Sequence, residues 1–236
     1  MLFRSEALAW YYMWRFEGRR SDLERGLKVT DEGMKKYPGN TEIIEARCAI
    51  LVWIGRADEA LKLLLVEVEK RPSNYLLRRH LAGAYLVTGK TDDAEREYKK
   101  AIELNSGDAL SYLGLGNIHK AYGRLAEAEA VILKAIEAAP LMPEAHNNLA
   151  WLYATAEDER FKKPLQALEH AEIANRITGY RNPDWLDTLA HAYAANGRYK
   201  SAVEFSEKSV ELAPDRQDLK DHLAKFKDLL KEKGGN

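Results

Sequence analysis

A single cysteine, Cys48, stands in a chain of 236 residues, which excludes an intramolecular disulfide and a cysteine-based zinc site and is compatible with a reducing compartment. Neither sign of charge is in excess: 36 basic against 37 acidic side chains argue against nucleic acid or an anionic membrane as the main partner. No long apolar run is present. The N-terminal stretch is apolar but short, is interrupted by Glu6 and Arg15, and has no clean small-residue cleavage site after it. No signal peptide, no membrane insertion and a cytoplasmic location are expected. Chemistry-bearing motifs are equally scarce. The six histidines make no HExxH or other close ligand pair in sequence, and Glu169-His170 lacks a partner. Gly114 and Gly116 lack the preceding strand and third glycine of a phosphate cradle. No nucleophile with an adjacent base is legible. The expectation is a protein that is not an enzyme, with no catalytic residues, no metal and no cofactor.

What fills the chain is a repeat. Between Ala109 and Pro140, Tyr112, Leu115, Gly116, His119 and Tyr122 fall at helical spacing, Gly123 breaks the pattern, and Ala128, Ile132, Ala135 and Ala138 resume it until Pro140. This reads as two amphipathic helices joined at a glycine turn, with Gly116 and Ala128 small enough for close approach. Gly55, Gly89 and Gly123 recur at intervals of 34 residues, as do Ala60, Ala94 and Ala128, and Leu81, Leu115 and Leu149. Tyr85, His119 and Tyr153 keep the same interval, whereas Leu189 and Tyr193 follow 40 residues later, which marks an insertion at 157–164. That loop reads as charged and surface-placed. A hairpin of this size buries too little apolar surface to offset its ordering entropy, so the repeats have to stack.

This pattern resembles the tetratricopeptide repeat family. Tyr112, Leu115, Gly116, Gly123, Ala128, Ala135 and Pro140 match its order, and so do Leu189, Ala190, Tyr193, Gly197, Tyr199, Ala202 and Pro214. The resemblance implies an all-α, right-handed superhelical solenoid of about six hairpins in a single body. The hairpins fall at about 4–38, 41–74, 75–108, 109–142, 143–180 and 183–216, and a capping helix follows at 217–232. Asn40 or Thr41, Asp108 and Asn182 are the expected helix caps. Arg47 and Cys48 replace the usual leucine and small residue, so the second repeat matches less well. The first hairpin is the least regular and carries Trp10, Tyr11, Tyr12, Trp14 and Phe16.

In this family first helices line a concave groove and bind a segment of another protein. The ligand-facing positions fall here on Arg79, Leu86, Leu113, Asn117, Lys120, Asn147, Asn148, Trp151, Asp187 and His191. Asn117 and Asn148 match places where carboxylate-clamp members use asparagine, whose amide both donates and accepts. Leu113, Asp184 and Thr188 stand where that clamp has Lys, Lys and Arg, so a C-terminal carboxylate is not the expected ligand. An internal extended or helical segment with Trp151 as apolar anchor is. Two other readings are kept: self-assembly through the aromatic N-terminal hairpin, giving a homo-oligomer, and a subunit like the protein prenyltransferase α chain. The second rests on one Pro72-Ser73-Asn74-Tyr75 stretch, in which Arg78 takes the place of that motif's tryptophan.

Overall fold

The computed structural model describes residues 20–234. The aromatic helix expected near the N-terminus, and the homo-oligomer contact assigned to it, lie outside these residues. The described chain is all-helical: α1 (Arg20–Lys36), α2 (Thr41–Trp53), α3 (Ala57–Lys70), α4 (Tyr75–Val87), α5 (Thr91–Leu104), α6 (Ala109–Ala121), α7 (Leu125–Ala138), α8 (Pro143–Thr155), α9 (Pro164–Thr178), α10 (Pro183–Ala195), α11 (Tyr199–Leu212) and α12 (Gln217–Lys233). A short 3₁₀ turn, Glu159–Phe161, lies between α8 and α9. Contacts divide the chain into two compact units, 1–114 and 115–236.

The local reason for the hairpins is a repeated stop signal. Gly55 and Gly89 adopt φ of 80° and 76°, a left-handed conformation that costs glycine nothing, and the turn glycines Gly123 and Gly197 do the same. At each turn the amide three residues after the helix end reaches back to an orphan carbonyl: Arg56 to Leu51, Lys90 to Tyr85, Arg124 to His119, Arg198 to Tyr193. First helices start on asparagine caps or proline. The Asn40 side chain accepts from the Ile43 amide, Asn74 from Leu77, and Asn182 from Asp184 and Trp185. Pro143 and Pro183 occupy first-turn positions where a missing N–H costs nothing. The Asp108 carboxylate, just before α6, pairs with Arg79 and accepts from the Ser111 hydroxyl. The Pro72–Tyr75 stretch is likewise a cap, with Asn74 also donating to Thr41 Oγ1 at 3.1 Å.

In the first unit α2 packs on α1, α3 and α4, around Leu27, Ile44, Leu51, Leu64, Leu77 and Leu81. Arg47, the misfit of the repeat pattern, ties α2 to α1: its guanidinium meets Asp31 Oδ1 at 2.6 Å and Thr30 Oγ1 at 3.2 Å. Gly114 on α6 permits another close approach, since a Cβ there would lie 2.3 Å from the Tyr98 ring.

In the second unit α8 packs on α7, α9 and α10, and α10 on α9, α11 and α12. Ala128, Leu149, Ala150, Ala167 and Leu189 are fully buried in its core. Phe226 of α12 closes a further cluster against Ala190 and Ala202. The inserted loop is less free than its charge suggests. Phe161 is 9% exposed in the core, and Lys163 pairs with Glu129, which also accepts from the Tyr153 hydroxyl at 2.6 Å.

Candidate functional site

The residues singled out from the repeat register fall into both units. In the first, Arg79 is held by Asp108 at 2.6 Å and borders a mainly apolar pocket of about 410 Å³ with Trp53, Val87 and Leu110. Leu86 is half-buried, and Leu113 is buried, so it presents little surface. In the second unit the structure brings the other residues together. Asn148 of α8 donates to Asn117 Oδ1 at 2.8 Å, while its own Oδ1 faces the Lys120 ammonium at 3.4 Å. Lys120, Asn147, Asn148, Trp151 and Asp187 all line one pocket of about 230 Å³.

The periodicity explains the convergence. Asn147, Asn148 and Trp151 lie within one turn of α8, and Asp184, Asp187, Thr188 and His191 form the corresponding stripe on α10. The remaining wall comes from α12 and the residue before it: Arg216, Asp218, Leu219 and His222. Those residues escape the sequence reading because α12 reads as a cap and not as a further first helix. The available signal is the register, since His222 follows Asp187 by 35 residues.

The electrostatics are set by burial. Asp187 is 4% exposed, and desolvation pushes its carboxyl up to about 6, against the opposing pull of His222, whose Nδ1 lies 2.9 Å from Oδ2. Burial also pushes His191 down to about 4. Its Nδ1 donates to the Asp187 carbonyl at 3.0 Å, and its ring packs on Trp151 with centroids 4.9 Å apart. Lys120 is lowered by burial alone. At the rim Arg216 binds Asp184 at 3.1 Å and Asp218 at 2.6 Å, and the guanidinium draws the Asp218 carboxyl down to about 2. Thr188 also lines the pocket, with its hydroxyl donating to the Asp184 carbonyl at 3.0 Å, and brings no positive charge to it. Two buried acceptors of the pocket, Asn147 Oδ1 and Asp187 Oδ1, have no hydrogen-bond partner among the described residues.

Histidines scattered in sequence are therefore paired in space. His191 and His222 meet edge to face at 4.6 Å, and elsewhere in the unit His146 and His170 approach through their Nδ1 atoms at 2.9 Å. Pairings across 31 and 24 residues leave no local signature. Among the described residues no helix is long and apolar enough to cross a membrane.

Comparison with known proteins agrees with this architecture. Tetratricopeptide repeat models match residues 54–109, 88–152 and 186–216, which together make up more than half of the chain. The chain is 28% identical over 194 residues to Protein O-mannosyl-transferase TMTC1 of Homo sapiens, covering 80% of this chain and 21% of that protein. It is 28% identical over 129 residues to DnaJ homolog subfamily C member 3 of Rattus norvegicus, covering 54% and 26%. It thus spans about a quarter or less of the length of these curated relatives. Among solved structures it resembles the APC/C hetero-tetramer Cut9-Hcn1 at a TM-score of 0.74, with 15% identity and coverage of 99% and 48%. It also resembles PilW, a type IV pilus biogenesis factor, at 0.70, with 16% identity and coverage of 94% and 99%. YrrB, described as a tetratricopeptide repeat protein with an unusual peptide-binding site, aligns at 0.58 with 16% identity over 83% and 97%. At these identities the structures establish a shared fold. The chain belongs to the tetratricopeptide repeat family, an all-α fold that serves in general as a scaffold for protein interactions.

Proposed function

We propose that this chain is a non-catalytic adaptor that binds an extended or helical segment of another protein along the first-helix face of its second unit. The observation that carries the reading is the shared pocket on α6, α8, α10 and α12, in which Asn147, Asn148 and Trp151 stand side by side. Asn147 Oδ1 is an acceptor without a partner among the described residues, suited to a peptide N–H, and the Asn117–Asn148 amide pair offers donors and acceptors to a backbone of any sequence. Trp151 supplies the apolar anchor that concentrates binding energy. YrrB supports the reading as a protein of the same fold described as having a peptide-binding site.

The test is selection of displayed random peptides on the full chain, followed by titration of the selected peptides against an Asn117→Ala/Asn148→Ala/Trp151→Ala variant that retains native circular dichroism. Loss of an anchor worth about 2 kcal/mol lowers affinity by about 30-fold. Equal affinity for both proteins overturns the assignment.

A further inference from the structure

Asp187 and His191 lie four residues apart on one face of α10, and His222 of α12 is set against them. One donor atom from each of the three lies within 4.8 Å of the other two. We infer that these residues form a binding site for a divalent transition metal ion of the zinc class, with two imidazoles and one carboxylate as protein ligands. Donors in a tetrahedral zinc site with bonds of about 2.0–2.2 Å stand about 3.5 Å apart, so small side-chain rotations close the set.

Several features beyond proximity favour an ion here. Asp187 Oδ1 is buried and has no hydrogen-bond partner among the described residues, so a carboxylate is already held out of water with a lone pair unused. The His191 Nδ1 bond to the Asp187 carbonyl requires a proton on that nitrogen, because a carbonyl only accepts. Nε2 is thereby left with its lone pair, the way ligating histidines are usually fixed. Around the donors stand Trp151 and Phe226, each with its ring centroid 4.9 Å from that of His191, an apolar shell that limits competition from water. Asp187 and His222 also line the pocket, so the coordination position not taken by protein opens onto it. In the pocket lining the carboxylates of Asp184, Asp187 and Asp218 outnumber the cations of Lys120 and Arg216, while His222 and Lys225 disfavour positive charge at His191. Imidazole with carboxylate is a donor set of borderline softness, which suits zinc and excludes magnesium and calcium as preferred ions.

The site stands independently of the peptide reading, because none of its three ligands is among the residues replaced to test that reading. The experiment is isothermal titration of the tag-free full chain with zinc chloride, repeated with cobalt(II) to read the visible d–d bands of a tetrahedral complex. The expected result is one zinc ion per chain, with His191→Ala, His222→Ala and Asp187→Asn each weakening affinity by about tenfold or more. His170→Ala and the Asn117→Ala/Asn148→Ala variant are expected to bind zinc as the native chain does. His222 is 31% exposed, so His222→Ala, checked for a native circular dichroism spectrum, keeps the test readable if Asp187→Asn fails to fold. The inference is overturned by absence of saturable binding or by binding that the His222→Ala variant retains in full. Loss of binding in His170→Ala alone also overturns it, since the ion then sits at the His146–His170 pair.

Discussion

Single side chains decide which register positions are available to a partner and which belong to the scaffold. Arg79 shares its helical position with groove residues of the family, yet its guanidinium is committed to Asp108, with side-chain exposures of 14% and 7%. Removing one partner of such a pair leaves a buried charge uncompensated. Arg79→Ala is therefore expected to destabilise the chain by about 3 kcal/mol in urea denaturation, moderated by the Ser111 hydroxyl that still donates to Asp108. His80 makes a second prediction. Burial lowers its pKa below 6.5, outweighing the pull of Glu45, whose Oε1 is 3.7 Å from Nε2. The unfolded chain then takes up the proton first, so this contribution to stability is complete above about 6.5 and is lost as pH falls toward the folded value. Denaturation at pH 7.5 and pH 5.5 is expected to show a smaller acid loss for His80→Gln than for the native chain, and an equal loss would contradict the account.

Elements were legible wherever the sequence carried a local signal. Gly55, Gly89 and Gly123 mark hairpin turns because a left-handed residue is needed there, and Asn40 and Asn182 mark helix starts because their side chains cap free amides. Elements whose role depends on distant neighbours were not legible. The inserted loop reads as solvent-facing because of its charges, but Phe161 is driven into the core beneath it and Lys163 is fixed by Glu129. Phe161→Ala is expected to cost about 3–5 kcal/mol, measured by chemical denaturation, whereas a loop that only spans the surface would lose less than about 0.5 kcal/mol. Helix α12 matches the capping helix that the family resemblance implies, and its His222, Leu219 and Asp218 nevertheless complete the pocket wall. No short-range pattern announces a wall built across 35 residues, and the Asp187–His191–His222 cluster was missed for the same reason.

For the molecule as a whole, the period of 34 residues specifies a family and therefore an architecture, while the partner is decided by which side chains the repeats leave uncommitted. In the second unit the proposed face is the first-helix pocket around Trp151, and exposed apolar side chains of the second helices, such as Leu133, are the contrasting surface. The curated relatives extend well beyond the matched segment, so the transferase activity named for TMTC1 does not pass to this chain through the repeats. The most direct test of an interaction face on the first helices is site-specific photocrosslinking in the source lysate, with a photoreactive amino acid replacing Trp151 in one protein and Leu133 of α7 in another. The account predicts a discrete adduct with one partner protein from position 151 and none from position 133. The same adduct from both positions, or from position 133 alone, would contradict it.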